Sequence, residues 1–170
     1  MLNKKRGQAW GFDVMIAAML FLTGIITFYL YTLNSQTEGQ NTLDGLIYDG
    51  NFLADSLMSE GFPQDWNETN VITLGITNQN KINETKLERF YTMSHPVNNP
   101  AGYEKARKII GTQYNYFVNL SQSITFSGVP IPEEGIGFSF TGQQYDNLIK
   151  INRVTIYNNK PTTLHVYIWK

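Results

Sequence analysis

Few side chains in this sequence are placed for chemistry. It holds two histidines, His95 beside a proline-containing loop and His165 in an alternating C-terminal run, and no cysteine. Neither histidine has a second His or Cys at metal-ligand spacing, and a lone imidazole is more often structural or solvated than part of a site. Glu133 and Glu134 are adjacent in a turn-rich stretch. Neighbouring carboxylates diverge as often as they meet, so they make a poor acid–base pair. Gly135-Ile136-Gly137 is only a fragment of a phosphate loop, with no lysine following at the required place. No Gly-x-Ser-x-Gly appears. Lys105, Arg107 and Lys108 read as the exposed side of a short helix near its C-terminus, where cations are favoured. The expectation is no catalysis, no cofactor and no metal; convergence of His95, Glu133 and Glu134 in one pocket would reverse it. Three N-linked glycan sequons are present, at Asn67, Asn83 and Asn119. A composition this rich in Asn, Ser and Thr gives roughly two or three by chance. Asn67 and Asn83 fall in predicted loops and Asn119 in a predicted strand, which makes it the weakest acceptor.

The elements that carry these residues begin with a charged leader and an apolar run. Lys4-Lys5-Arg6-Gly7-Gln8 precedes Val14 to Leu33, twenty residues without a charge. At about 1.5 Å per residue a helix of that length covers roughly 30 Å, the hydrocarbon thickness of a bilayer. Cations on the N-terminal side keep that end cytoplasmic and send the C-terminus outside. Trp10 and Phe12 on one flank, and Phe28, Tyr29 and Tyr31 on the other, suit the two interfaces. A cleavable secretory signal fits less well, since its apolar core spans about 7–15 residues and ends at a small-x-small site. Here Thr32-Leu33-Asn34-Ser35-Gln36 follows, with no Ala-x-Ala. A plain uncleaved anchor fits the same residues.

The segment KKRGQAWGFD resembles the start of an archaeal type IV pilin-like precursor, with its class III signal. The resemblance covers about the first 35 residues. It implies that a prepilin-type peptidase cuts after Gly7, that Gln8 begins the mature chain, and that the apolar helix is retained. The family carries an acid at the fifth mature position; here that position is Phe12, and the acid, Asp13, comes sixth. At the headgroup level water solvates Asp13 cheaply; nearer the hydrocarbon its carboxylate needs a partner. The amine of a neighbouring Gln8 would supply one in an assembly. The resemblance further implies a pilin-like α+β fold: one long N-terminal helix, half transmembrane and half amphipathic, packed on a small antiparallel β-sheet head. It implies a cell-surface subunit of a type IV pilus-like filament, in contact with lipid and with like or related subunits. The alternative is a single-pass envelope protein whose external domain binds a ligand or partner and does not polymerise.

The rest of the sequence is polar for its size. Of 170 residues 42% are hydrophobic, and the apolar run holds a large share of them; 14% are aromatic, enough for a core. Net charge is −1, and −4 once Lys4, Lys5 and Arg6 are set aside, which disfavours nucleic-acid binding. The expected organisation is a leader over 1–7, a transmembrane helix over 8–34, a hinge or stalk over 35–42 at Gly39 and Asn41, and a head over 43–170. Within the head, Leu43, Leu46, Ile47, Gly50, Leu53, Ala54, Leu57 and Met58 follow helical spacing and predict an amphipathic helix over 43–60, ended by Gly61 and Pro63. Phe62 and Trp66 are expected to tuck under the domain. Val71 to Ile76 reads as a strand, Thr77 to Asn80 as a turn, Lys86 to Met93 and Tyr103 to Ile110 as short helices, Tyr114 to Leu120 as a strand, and Ser127 to Gly137 as a loop. Ile149 to Tyr157 and Thr163 to Trp169 flank Asn158-Asn159-Lys160-Pro161 as a hairpin. Leu164, Val166 and Ile168 alternate there with His165, Tyr167 and Trp169, an aliphatic row and an aromatic one, of which one face is suited to the amphipathic helix and the other to loops or a neighbour.

Overall fold

A computed structural model describes residues 4–126, 128–131 and 134–170, with side chains described throughout except at 4–9 and 34–41. The protein is α+β. It divides into two compact units, Met1–Thr42 and Leu43–Lys170. Helix α1 runs Lys4–Leu57, and its backbone is helical through 35–42, where the sequence predicts a break. One glycine inside a helix costs only about 1 kcal/mol against alanine, too little to end it amid glutamines and a glutamate.

In the first unit, Trp10–Leu33 is apolar and long enough to cross a membrane, with a mean hydropathy of 2.1 and none of it buried in the protein. Its threonines return their hydroxyls to the preceding turn: Thr23 Oγ1 donates to Met19 O at 2.8 Å, Thr27 to Thr23 O at 2.8 Å and Thr32 to Phe28 O at 2.9 Å. Polar groups satisfied within one helix are what a hydrocarbon medium tolerates.

The second unit is a six-stranded sheet with helices on one face. After the last turns of α1 come β1 (Thr77–Asn78), β2 (Lys81–Ile82), α2 (Glu84–Met93), α3 (Pro100–Ile110), β3 (Asn115–Leu120), β4 (Thr125–Phe126), β5 (Val129–Pro130), β6 (Ile136–Gly137), β7 (Leu148–Tyr157) and β8 (Lys160–Trp169). The sheet order is β1-β2-β7-β8-β3-β6, with β4 and β5 paired separately. The expected all-antiparallel sheet is corrected here: β2 runs parallel to β7 at Lys81 and Ile156, so the sheet is mixed. The tight β1–β2 hairpin leaves β2 in that direction. Gln79 and Asn80 have φ of 49° and 63°, as do Asn158 and Asn159 (51° and 59°) in the β7–β8 turn. Successive left-handed residues give the two-residue hairpin whose twist matches its strands. The β7–β8 turn is thus shorter than the predicted tetrad, and Pro161 already pairs with Ile156.

Both short helices carry their own caps. Asn83 Oδ1 accepts from Lys86 N–H at 3.0 Å, and Asn99 Oδ1 accepts from Gly102 N–H at 2.9 Å with Pro100 at the first helical position. Gly111, at φ 77°, closes α3.

On the inner sheet face Leu164, Val166 and Ile168 are fully buried beside Ile151, and Leu46, Leu53, Ala54 and Leu57 of α1 are equally buried. Gly50 lets the helix approach: a Cβ there would lie 2.6 Å from Ile151 Cδ1 and 3.0 Å from Ile168 Cγ2. Burying each leucine contributes about 1.5–3 kcal/mol. On the other face Phe140 stacks on Tyr167 at 4.7 Å, with Phe117 and Trp169 beside them.

Three expectations fail around the end of α1. The helix stops at Leu57 rather than 60. Val71–Ile76 is extended but not a strand, apart from one bridge between Phe62 and Thr73. Its main chain serves the helix end instead: Ile76 N–H donates to Leu57 O at 2.9 Å and Thr77 N–H to Ser59 O at 3.1 Å. Trp66 is fully buried, its Nε1–H donating to Gly75 O at 2.8 Å, whereas Phe62 is 61% exposed. The predicted 127–137 loop also contains the two-residue strands β5 and β6.

Gly75 packs against main chain, since a Cβ there would lie 2.5 Å from Ser59 O. Gly75→Ala is expected to destabilise the head by about 1–3 kcal/mol, the usual cost of overpacking, as read by denaturant unfolding in detergent. Gly24→Ala, with nothing within 4 Å of its Cβ, is expected to leave that transition unchanged.

Candidate functional site: the outward face of helix α1

Polar contacts on both sides of the helix fix how α1 sits in the head. Arg153 of β7 donates from Nε to Asp55 Oδ1 at 2.9 Å and from Nη2 to Asn51 Oδ1 at 3.0 Å. On the opposite flank Thr112 Oγ1 donates to Asp49 Oδ2 at 2.7 Å, and Ser56 Oγ donates to Leu74 O at 2.7 Å. The Asp55–Arg153 pair is exposed, so its contribution is orientation more than stability.

This orientation leaves four large apolar side chains of the helix in the open. Leu43, Ile47, Tyr48 and Phe52 are 41%, 43%, 72% and 48% exposed. Leu43 and Ile47 belong to the helical stripe that the sequence marks for packing; Leu43 lies at its start, on the line of Gly50 and Ala54, and Ile47 at its edge. Tyr48 and Phe52 are one turn apart on the side away from the sheet. Scattered surface apolars are ordinary; two large rings one turn apart on the outer side of a helix are less so.

The remaining chemistry-bearing residues do not converge. His95 Nδ1 accepts from Asn98 N–H at 3.0 Å, and the ring lines an apolar cleft of about 350 Å³ with Tyr91, Val97 and Phe138. Glu134 lines a different cleft beside Ser121 and Ile131, and Glu133 lies outside the described residues. His165 sits 2.7 Å from Asn152 Oδ1 across the β7–β8 pair. Among the described residues no three His, Asp or Glu side chains are grouped to hold a metal. Gly7 and Gln8 fall among the residues whose side chains lie outside the description, and Asp13 is exposed on α1. Asn67 is on an exposed loop, Asn83 caps α2 and Asn119 is on β3.

Lys86 is a residue that sequence reasoning missed. It is 4% exposed, and its Nζ donates to Glu60 O at 2.7 Å, Thr77 O at 3.2 Å and the Asn78 side-chain oxygen. Nearby Arg89 Nη1 donates to Asp65 O and Trp66 O at 3.0 and 2.6 Å. Both cations therefore serve the chain's own carbonyls, and the cleft they line of about 400 Å³ is a structural clamp on the turn after α1. The only sequence signal was a lysine three residues after a helix cap. Burial lowers the Lys86 pKa, partly offset by the Glu60 carboxylate. The core phenols follow the same physics in the opposite direction. Burial pushes Tyr103 up to about 12, and it raises Tyr116, whose OH donates to Ser94 Oγ at 2.9 Å, further still.

Lys86→Met is expected to destabilise the head by about 1–3 kcal/mol for each acceptor that stays dry, read by thermal or denaturant unfolding. In the wild type, a lowered Lys86 pKa means that the unfolded chain binds the extra proton. Stability contributed by this group therefore rises with pH between its folded value and the ordinary 10.5, and is lost on falling through that window. For His165, desolvation and then Lys150 hold the imidazole below its ordinary 6.5. Its ring signals in an NMR titration are expected to shift only below that pH, and its contribution to stability fades as pH falls through the folded value.

No protein-family model, curated protein or solved structure matches this chain.

Proposed function

We propose that this chain is a membrane-anchored, pilin-like subunit of the cell surface that assembles, with copies of itself or related chains, into a type IV pilus-like filament. The observation that carries this reading is the exposure on α1 of Leu43 and Ile47 beside the core stripe and of Tyr48 and Phe52 on the side away from the sheet. The same helix supplies Trp10–Leu33, apolar and wholly unburied in the protein. Large apolar side chains exposed on two sides of one helix, locked in orientation by Arg153, Asp55 and Thr112, are suited to helix-to-helix contact with more than one neighbouring subunit. The leader Lys4-Lys5-Arg6-Gly7-Gln8 supports the same reading through its resemblance to class III signals, with Gly7 and Gln8 as substrate positions of a prepilin-type peptidase and Asp13 as a charge paired within the assembly. Catalysis has no place in this proposal.

A second reading is a single-pass envelope protein whose external head binds a partner without polymerising. The largely apolar cleft lined by Tyr91, Val97 and Phe138 favours it.

Mass measurement of the membrane-extracted protein tests the proposal. A chain beginning at Gln8 supports it, whereas an intact Met1 or a cut beyond Leu33 sinks it. The double variant Ile47→Asn, Phe52→Asn is expected to abolish sedimentable assemblies while leaving the unfolding midpoint of the dispersed protein within about 0.5 kcal/mol of wild type, the usual range for surface changes. Retention of assemblies would favour the second reading.

A further inference from the structure

The three sequons occupy different environments, and of the three asparagines only Asn67 is exposed. Asn119 lies on β3, paired through its main chain with His165, and its Oδ1 is buried without a hydrogen-bond partner. Reaching its nitrogen would mean parting a strand held between β8 and β6. Asn83 caps α2 through Oδ1 and lines the clamp beside Lys86 and Arg89, so turning its amide outward would uncap the helix.

Asn67 differs on each count. It is exposed, next to the fully buried Trp66. Its Oδ1 accepts three hydrogen bonds within the sequon loop: from Thr69 N–H at 2.8 Å, Thr69 Oγ1–H at 2.6 Å and Asn70 N–H at 3.3 Å. Among the described residues its Nδ2 meets no acceptor. The loop is also held from behind. Asn99 Nδ2 donates to Glu68 Oε1 at 2.9 Å, Lys105 Nζ donates to Glu68 O, and Arg89 fixes the carbonyls of Asp65 and Trp66. A head anchored in this way presents the Asn67 nitrogen outward without local unfolding.

We infer that Asn67, alone of the three sequons, is an acceptor for an N-linked glycan delivered by a transferase from a lipid-linked glycosyl phosphate. In the transfer, Nδ2 forms a bond to the anomeric carbon and the bond from that carbon to the phosphate oxygen breaks. The lipid phosphate departs with the electron pair, and one Nδ2 proton passes to a base of the transferase. Donors on Oδ1 draw electron density from the nitrogen and make its N–H easier to lose, which is the role assigned to the Thr69 hydroxyl. The modification rests on the external placement of the head proposed above. The loop lies beside the C-terminal end of α1, and Leu43 is about 20 Å back along that helix at 1.5 Å per residue, so a glycan on Asn67 leaves Leu43 clear.

The test is glycopeptide mapping of the full-length protein purified from its own cells, with intact cells first treated with a membrane-impermeant amine label. The expected result is labelled head lysines and glycan mass on Asn67 only. Asn67→Gln and Thr69→Ala should each lose that mass, Thr69→Ser should keep it, and Asn83→Gln and Asn119→Gln should leave it unchanged. An unmodified Asn67 on a labelled head overturns the inference while leaving the proposed placement intact, as does glycan on Asn83 or Asn119. A head that the label does not reach overturns both together.

Discussion

At Gly50 the backbone of α1 comes down onto Ile151 and Ile168, so close that an added methyl would touch both. The second unit is arranged around this contact. Because the helix lies so near, Leu46, Leu53, Ala54 and Leu57 reach the aliphatic row of β8 and exclude water from it. The same proximity brings Asp55 and Asn51 within reach of Arg153, and Asp49 within reach of Thr112. These polar contacts remove the freedom to roll about the helix axis that apolar packing alone would permit. The outward position of Tyr48 and Phe52 therefore follows from a missing side chain on the opposite side of the helix.

The end of α1 shows a second constraint, the obligation to satisfy main-chain groups away from water. Carbonyls of Leu57 and Ser59 receive N–H groups from Ile76 and Thr77, and the Lys86 ammonium takes up those of Glu60 and Thr77. A buried cation is unfavourable without such partners. Here its three donors meet three oxygens, and the turn after the helix is gathered around them.

The sequence made some of this visible. Alternation in the last strand, the Asn-Asn turn and the helical period of Leu46 to Leu57 are local signals, and their elements appear where those signals lie. The failures have a common cause. Val71 to Ile76 has strand-like residues, but its hydrogen bonds go to the end of a helix distant in sequence, and no local pattern reports that. Leu43 and Ile47 match the period of the buried stripe, yet one stands at its start and the other at its edge, and both stay exposed. Lys86 reads as a surface lysine until the turn from Glu60 and the β1–β2 hairpin are brought around it. Tyr48 and Phe52, exposed on the side of α1 away from the sheet, lie outside the period of the buried stripe, so that pattern did not mark them.

The threonines of the apolar helix carry a further implication. Thr23, Thr27 and Thr32 each commit a hydroxyl to a carbonyl one turn back, so they present neighbours with methyl groups in place of donors. Another helix could approach such a rod most closely at its small residues, Ala17, Ala18 and Gly24, and there by shape. Contacts founded on shape lack the angular demands of hydrogen bonds. They permit small slips and rotations at little cost, so a bundle of such rods would be cohesive and compliant at once.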